Sequence, residues 1–497
     1  MLLNFLNWLN GLLWSTPMLV LILGGGLLFT FRMKFVQFTK LPDMFRLTFK
    51  GDSGVTKDKN AKGITTVQAL SMTIASAIGV GNIAGVATAI TLGGPGAVFW
   101  MWITALVGAG TAVVECTLGQ IYKDDIGGEY RGGPAYYLEK ATGQRWLGVA
   151  FAISTLIAYG WALYTPQTHS IALSMEEGFG IPPIATGIIV CVLFAIVMFG
   201  GVKRIGEFAA IVVPIMATAY ILIAIVMLVL NASKVPGVFA LIFRSAFNME
   251  AAFGGMLGSA IAMGVKRGIY SNEAGQGTSP HGAAASRVSH PIRQGLIQSF
   301  CVYIDTILVC TATALMILIT DSYNVVNPAG EILVNNIGDV TAGALNTQMA
   351  LNTLAPGFGA KFVAIAVGFF AFTSCIAPAY YGESNLIYIM KRRSEKSLIV
   401  LRLVIMSGMF FGAVRTSDVV WALTDMGLGL MAWVNILGLL FINGIAIRTY
   451  NDYMDQTREG IANPVFDPVK LKIPRAHYWE NRLKSKVESV STEQTLS

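Results

Sequence analysis

The segment AIGVGNIAG, residues 77–85, is the most informative stretch of this sequence. It places three glycines and an asparagine inside an apolar run at 64–92, which exceeds the about 20 residues that a helix needs to cross a bilayer. Glycine in a helix interior costs about 1 kcal/mol relative to alanine. The segment therefore predicts a membrane-spanning helix that is interrupted near its centre.

The same segment also fits the Gly-x-Gly-x-x-Gly/Ala pattern of dinucleotide-binding loops. That interpretation needs a preceding strand and an acidic residue about twenty residues further on. The twenty residues after Gly85 contain no Asp or Glu, and the segment lies within an apolar run. We therefore reject a nucleotide-binding loop.

The composition of the whole chain supports a membrane protein. Hydrophobic residues make up 54% of the 497 residues and charged residues 13%, whereas soluble domains carry about 25% charged residues. The formal net charge of +7 does not indicate nucleic acid as a partner, because the basic residues lie in the gaps between apolar runs. Lipid is thus the expected main solvent.

Eleven apolar stretches are candidate membrane spans. They lie at 12–31, 64–92, 97–120, 147–174, 184–201, 208–230, 252–270, 295–319, 361–389, 398–414 and 420–446.

The distribution of Lys and Arg predicts the orientation of these spans. Alternate gaps on one side hold 31 of the 35 basic residues, and the opposite side holds 4. Positive residues stay in the cytoplasm, so we expect the N-terminus outside and the C-terminus inside a bacterial inner (plasma) membrane. The first stretch, Trp14–Phe31, is interpreted as a retained span and not as a signal peptide.

A second glycine series lies in Phe253–Pro280, at Gly254, Gly255, Gly258, Gly264, Gly268, Gly275 and Gly277. Close helix packing is the alternative explanation for such glycines. This span comes five after the first interrupted one, so the two enter the membrane from opposite sides. The pattern predicts an all-α polytopic membrane protein of about 11 transmembrane helices, with an inverted 5+5 repeat, two broken helices and one extra N-terminal helix. The corresponding regions are 1–62, 63–230 (first repeat), 231–251 (extracytoplasmic connection), 252–446 (second repeat) and 447–497 (cytoplasmic tail).

Unwinding at Gly79–Gly81 exposes N–H groups that can bind a carboxylate, and it frees carbonyls for a hard cation. Asn82 can add an amide oxygen or, alternatively, form an interhelical hydrogen bond. Thr373 and Ser374, adjacent on the ninth span, offer two hydroxyls, although such residues often bond to their own helix. Gln167 is a neutral polar candidate for the lining of the path.

Ionisable residues inside a membrane are candidates for function. Glu115, Asp305 and Asp425 qualify, and the sequence assigns them no partner. For Lys266, Arg267 and Glu273 near the inner end of the seventh span, a cytoplasmic-gate ion pair and interfacial snorkelling are both compatible with the sequence. The five cysteines form no CxxC pair and the four histidines have no metal-ligand spacing, so neither a disulfide framework nor a zinc site is indicated. No nucleophile–base pair or metal cluster emerges, so we expect no enzymatic activity and no cofactor.

Four blocks resemble the sodium:alanine (alanine or glycine:cation) symporter family. They are GVGNIAGVATAI at 79–90, GGPGAVFWMWI at 93–103, KRGIYSNEAGQG at 266–277 and YYGE at 380–383. The resemblance spans nearly the whole membrane region. It implies a leucine-transporter-like fold with one extra N-terminal helix, and the import of a small neutral amino acid together with sodium.

The resemblance also implies roles for individual residues. One sodium site would use the carbonyls of Ala75, Ile78 and Phe370 and the hydroxyls of Thr373 and Ser374. The N–H groups of the first break would bind the substrate carboxylate. The further residues implied are Ala77 and Asn82 for a possible second sodium site, Val80 and Gly81 for the carboxylate, and Gln167, Gly258 and Met263 for the rest of the pocket.

One departure from the family pattern concerns substrate size. The family has a Gly-Trp pair before the Tyr-Tyr-Gly-Glu block, whereas this chain has Ile376-Ala377-Pro378-Ala379. Without that aromatic ring the pocket can admit a larger neutral amino acid such as glutamine besides alanine or glycine. The alternatives are a proton-coupled transporter that uses Glu115, Asp305 or Asp425 and, in a different class, a channel.

Overall fold

The structure is a computed structural model that describes residues 1–52, 63–198, 201–250, 253 and 255–484, with the backbone alone at 201–203. Parts of the predictions lie outside the described residues. They include Gly254, residues 53–62 of the basic loop after the first span, and the end of the tail at 485–497. The described chain is mostly helical, as predicted.

The helices of the first half are α1 (Leu2–Leu13), α2 (Thr16–Arg32), α3 (Val36–Thr39), α4 (Leu41–Lys50), α5 (Thr66–Ala77), α6 (Val86–Gly93), α7 (Gly96–Ile121), α8 (Pro134–Thr142), α9 (Arg145–Ile157), α10 (Tyr164–Phe179), α11 (Pro183–Met198), α12 (Gly201–Leu230) and α13 (Val235–Ala246). The second half contains α14 (Leu257–Asn272), α15 (Ser279–Ala285), α16 (Pro291–Val302), α17 (Thr311–Ile319), α18 (Ala344–Asn352), α19 (Phe358–Met390), α20 (Glu395–Ala413) and α21 (Ser417–Arg458). Wider π-helical turns occur at Gly81–Gly85, Ala158–Ala162 and Tyr303–Cys310. Two short antiparallel hairpins pair β1 (Asp124–Ile126) with β2 (Glu129–Arg131) and β3 (Asn324–Val326) with β4 (Ile332–Asn335).

Seven helical segments of the described chain are long and apolar enough to cross a bilayer, and nine if each of two bent pairs is one span. The bent pairs are Leu2–Leu13 with Thr16–Arg32, and Thr66–Ala77 with Gly81–Gly93. Of the other predicted spans, Pro183–Met198 has only 16 residues, and Leu257–Asn272 ends at a break after 16 residues. Length and composition thus confirm a multi-pass helical protein, whereas the number eleven and the repeat stay predictions.

The predicted first break is confirmed. Helix α5 begins with a capping box, in which Thr65 and Gln68 each accept a hydrogen bond from the other's backbone N–H. It ends at Ala77, and the chain continues through a π turn at Gly81–Gly85 into α6, with a bend of 47°. The glycine cluster lies at this bend.

The predicted interruption of the seventh span at Gly258, Gly264 and Gly268 is wrong, because α14 runs through all three without a break. Gly264 and Gly268 serve close packing instead. A Cβ at Gly264 would lie 2.5 Å from the Cβ of Trp100. The second break follows Asn272 and extends to Ser279, where α15 begins.

The second break depends on left-handed backbone geometry. Glu273 has φ 59°, and Gly275 and Gly277 both have φ 84°. Glycine adopts this conformation without steric cost. A Cβ at Gly277 would in addition lie 2.5 Å from the side chain of Pro134. These later glycines of the series, and not the earlier ones, therefore mark the break.

The region after Arg448, predicted as a polar tail, is partly folded onto the protein. Helix α21 continues to Arg458. Beyond it, Phe466 and Trp479 are buried and pack edge to face. The indole N–H of Trp479 donates to the carbonyl of Gln120 at 2.9 Å. This segment therefore covers the end of α7.

Candidate functional site

The N–H groups of the first break are held by side chains. The N–H of Gly79 donates to the amide oxygen of Asn82 at 2.8 Å, and that of Val80 donates to the amide oxygen of Gln167 at 3.2 Å. Gln167 lies on α10, and its amide nitrogen reaches the hydroxyl of Tyr270 at 3.4 Å. Gln167, which was predicted to line the path, thus contacts the first break.

Gly79 allows α19 to approach the break closely. A Cβ at this position would lie 2.3 Å from Ser374 Oγ and 3.1 Å from the Gln167 amide oxygen. Contacts of a Cβ below 3.0 Å essentially do not occur. The glycine is therefore required here by space, in addition to its effect on helix propensity.

The structure brings three of the five residues predicted to bind sodium into contact. The Ser374 hydroxyl donates to the carbonyl oxygens of Ala75 at 3.0 Å and Ile78 at 3.3 Å. The neighbouring hydroxyl, that of Thr373, bonds to the carbonyl of Phe370 in its own helix at 2.9 Å. All five residues are buried. Neutral oxygens of this kind are suited to a hard monovalent cation.

A cavity lies between the two breaks. Its volume is about 20 Å³, which is room for one or two waters. In this conformation an amino acid can enter only after the lining has moved. The lining consists of Ser76, Ala77, Gly81, Tyr159, Leu163, Gln167, Tyr270, Glu273, Ser374, Pro378 and Leu428.

Not all predicted pocket residues reach this cavity. Gly258 is exposed at the start of α14, and nothing lies within 4 Å of a Cβ built on it. Met263 packs against Gly93, where an added Cβ would lie 3.0 Å from the Met263 Cβ. Both lie on the part of α14 that precedes the break, because the predicted interruption was placed too early. Pro378, the departure from the family pattern, does line the cavity.

Asn82 connects the first break to the π turn at Tyr303–Cys310. Its amide nitrogen donates to the Asp305 carboxylate at 2.6 Å, while its oxygen accepts the Gly79 N–H. The Thr306 hydroxyl donates to the other oxygen of Asp305 at 2.7 Å. The interhelical alternative for Asn82 is therefore observed, and its use in a second sodium site with Ala77 stays a prediction.

Glu115 holds the second break in a comparable way. One carboxylate oxygen accepts the N–H of Gly275 at 3.1 Å, and the other accepts the Asn435 amide at 3.0 Å. Asn435 also donates to the carbonyl of Gly275 at 2.9 Å. Each break is thus anchored by a polar side chain. The sequence offered no signal for the role of Asn435 beyond its polarity within an apolar span.

The predicted cytoplasmic gate of Lys266, Arg267 and Glu273 requires a correction. Arg267 pairs with Asp425 through two N–O contacts of 3.1 and 3.3 Å, and Lys266 contacts the same carboxylate at 2.6 Å. Both bases precede the break on α14, and Lys266 lies over the ring of Trp14, at the end where α2 begins. On the predicted orientation this end is extracytoplasmic, so the ion pair lies on the opposite side of the cavity from the predicted gate.

Glu273 is separate from this cluster and faces the cavity. Its carboxylate accepts hydrogen bonds from the hydroxyls of Ser76 at 2.7 Å and Tyr159 at 3.1 Å. Tyr159 could not be predicted from the sequence, since it resembles any other tyrosine in an apolar span. Among the described residues, no group of three or more His, Cys, Asp or Glu side chains is arranged to hold a metal ion.

Proteins of similar sequence are named as amino-acid carriers and symporters. The sequence model of the sodium:alanine symporter family matches residues 1–468. A sodium/proton-dependent alanine carrier protein of Bacillus sp. (strain PS3) is 46% identical over 437 residues, covering 86% of this chain and 97% of the relative. A protein of Bacillus subtilis (strain 168) named as the probable sodium/glutamine symporter GlnT is 40% identical over 464 residues, covering 93% of each chain.

Among solved structures, a Na⁺-coupled sialic acid symporter in a substrate-bound outward-open state aligns with a TM-score of 0.51. It is 15% identical, and the alignment covers 90% of this chain and 93% of the other. At this identity the likeness shows a shared fold. The family match and the relatives show a multi-pass membrane transporter of the amino-acid and cation symport type, not an enzyme. The chain belongs to the sodium:alanine symporter family.

Proposed function

We propose that this protein is a sodium-coupled symporter that imports a small neutral amino acid by alternating access. The observation that carries the proposal is the contact of the Ser374 hydroxyl with the freed carbonyls of Ala75 and Ile78, beside a cavity lined by both breaks. Sodium would bind these oxygens together with Phe370 and Thr373. The membrane potential adds about 2.3 kcal/mol per charge per 100 mV to the driving force.

The substrate carboxylate would bind the N–H groups of Val80 and Gly81. Val80 now donates to Gln167, so the carboxylate would take the place of the Gln167 oxygen or share the donor with it. Backbone N–H groups at the start of a helical segment favour an anion through their partial positive charge.

We further propose the architecture that the sequence predicts. Spans within 63–230 and 252–446 would form two inverted repeats, with 1–62 before them, 231–251 between them and the tail at 447–497 after them. The N-terminus would be outside and the tail in the cytoplasm of a bacterial cell. The two breaks support this arrangement, because they adjoin one cavity and interrupt α5–α6 and α14–α15.

Alanine, glycine and glutamine are the proposed substrates. Pro378 lines the cavity where the family pattern has a tryptophan nearby, and the smaller ring leaves more space for a side chain. Coupling to protons is the second candidate, favoured by the name of the Bacillus sp. relative, which includes both sodium and protons.

Uptake into proteoliposomes tests the proposal. Labelled alanine, glycine and glutamine are supplied with and without an inward sodium gradient, for wild type and Thr373→Ala. Thr449→Ala is the matched control, because Thr449 is equally buried and its hydroxyl bonds to its own helix at Ile445. Sodium-dependent uptake that only Thr373→Ala loses would support the proposal. Uptake that is indifferent to sodium but abolished by an uncoupler would establish proton coupling instead.

A further inference from the structure

The cavity contains one ionisable carboxylate among its lining residues, that of Glu273. This residue is 4% exposed and begins the second break in a left-handed conformation. Non-glycine residues adopt this conformation seldom. The backbone geometry turns the chain away from α14 and leaves the side chain against the cavity.

The two carboxylate oxygens of Glu273 differ in their contacts. One accepts the hydroxyl hydrogens of Ser76 and Tyr159. The other, Oε2, is buried and has no hydrogen-bond partner of good geometry among the described residues. The hydroxyl of Thr278 also lies near the carboxylate, and it too lacks a partner of good hydrogen-bond geometry. The carboxylate therefore has capacity for one more donor.

No basic side chain lines the described part of the cavity. The bases that precede the break, Lys266 and Arg267, are both paired with Asp425. A buried carboxylate that has only neutral hydroxyl partners is costly, and it gains most from a cation. The site thus requires a positive group that the described residues do not supply.

The first break contacts the end of α14, directly before the second break, so one small molecule can reach both. A Cβ at Gly81 would lie 3.1 Å from the ring of Tyr270 and 3.2 Å from the Cα of Ser271. The proposed carboxylate-binding N–H groups therefore lie close to the segment that carries Glu273. In an α-amino acid the carboxylate and the ammonium group are attached to the same carbon, which matches two neighbouring subsites of opposite charge.

We propose that Glu273 binds the α-ammonium group of the substrate and thereby selects zwitterionic amino acids. This inference rests on the proposed function and adds a specificity-determining residue to it. Ser76 and Tyr159 orient the carboxylate, and Oε2 accepts the ammonium hydrogens. Hydroxy acids such as lactate, and amino acids whose α-amino group is acylated, are excluded because they bring no positive charge to this carboxylate.

Equilibrium binding to the purified full-length protein tests the inference. Labelled L-alanine is bound in saturating sodium, and L-alanine and L-lactate, which differ in the α-substituent, are compared as competitors. The variants are Glu273→Gln, Glu273→Asp and the control Glu139→Gln. Glu139 also accepts a tyrosine hydroxyl, from Tyr388 at 2.5 Å, but it lies outside the cavity. Sodium-induced thermal stabilisation reports folding and the sodium site independently of alanine.

We expect Glu273→Gln to weaken alanine binding by about 100-fold, since the ammonium group of the substrate loses its charged hydrogen bond and is buried without a carboxylate. The sodium-induced stabilisation should persist, and the preference for alanine over lactate should fall to a few fold. Glu273→Asp keeps the charge and should retain much of the preference, and Glu139→Gln should bind as wild type does.

Binding of alanine by Glu273→Gln within about threefold of wild type would overturn the inference. If, in addition, the alanine affinity of this variant no longer changes with pH as that of wild type does, Glu273 is a proton carrier instead. If Glu273→Gln fails to fold, Glu273→Asp decides. Loss of the preference for alanine over lactate in that variant, with the sodium response intact, would also overturn the inference. Failure of the proposed function is distinct, because then wild type itself shows no sodium-dependent binding of alanine, glycine or glutamine.

Discussion

Replacement of Gly79 by alanine tests whether the Ser374 hydroxyl and the first break form the sodium site. The added methyl carbon would lie 2.3 Å from Ser374 Oγ, 3.0 Å from Ser374 Cβ and 3.1 Å from the Gln167 amide oxygen. A flexible side chain could escape such a contact at little cost. Ser374 has only one rotatable side-chain bond, so its hydroxyl must leave its present position.

The expected size of the effect follows from the contacts that are lost. Ser374 donates to the carbonyls of Ala75 and Ile78, and a neutral hydrogen bond contributes about 1 kcal/mol net. Overpacking of a tight contact adds about 1–3 kcal/mol. Together they give about 3 kcal/mol. If the whole of this free energy weakens the binding of sodium, the sodium concentration for half-maximal uptake rises about 150-fold.

The assay is alanine uptake into proteoliposomes as a function of external sodium. Gly24→Ala is the matched control, because Gly24 also lies within a membrane helix but has nothing within 4 Å of an added Cβ. We expect the control to keep the sodium dependence of wild type. A Gly79→Ala protein whose half-maximal sodium concentration stays within threefold of wild type would refute the assignment of Ser374 to the sodium site.

Three further substitutions test the contacts around the cavity. Arg267→Gln should lower the unfolding free energy by about 2 kcal/mol in thermal unfolding, since a buried ion pair is broken. Asp425→Asn should lower it further, because that change leaves both Arg267 and Lys266 without their carboxylate. Glu115→Gln should lower the unfolding free energy by about 1–2 kcal/mol, because its NH₂ group would face a donor, either the Gly275 N–H or the Asn435 amide. Hydrogen exchange at the Gly275 N–H should then be faster than in wild type. Trp479→Ala should lower the unfolding free energy by about 3 kcal/mol, because a buried ring is removed. A melting temperature equal to that of wild type would show that the tail does not stabilise the fold.

The first break was predictable because several signals coincide in one place. Gly79 and Gly81 lie with Asn82 in the middle of a long apolar run, where each is unfavourable in a plain helix. Helix propensity, polarity and length all indicate interruption at the same residues. The structure adds a cause that the sequence does not contain, which is the close approach of Ser374 to Gly79.

The second break was placed too early because glycine has two uses that a sequence does not separate. Gly264 and Gly268 allow α14 to pack closely on α7, whereas Gly275 and Gly277 supply positive φ. Only the second use interrupts a helix. This error also displaced the predicted gate, since Arg267 was assigned to the inner end of the span and in fact precedes the break.

The partners of buried polar residues could not be predicted, because they come from distant parts of the chain. Glu115 meets Asn435, which is 320 positions away, and Asn82 meets Asp305, which is 223 positions away. A single sequence shows that such residues need partners in an apolar environment, but not which ones. Proton coupling through Glu115, Asp305 or Asp425 is untested, yet each of these carboxylates has an evident structural partner.

On the proposed function, the two breaks would bind groups of opposite charge. The first would offer freed carbonyls and the Ser374 hydroxyl to a cation on one side, and N–H groups at Val80 on the other. The second offers the carboxylate of Glu273. A zwitterion that joins the N–H groups to Glu273 would hold the breaks together, and sodium would hold the first break to α19. Neither ligand alone makes both connections, so closure of the cavity would require both, and this requirement is a physical basis for coupled transport.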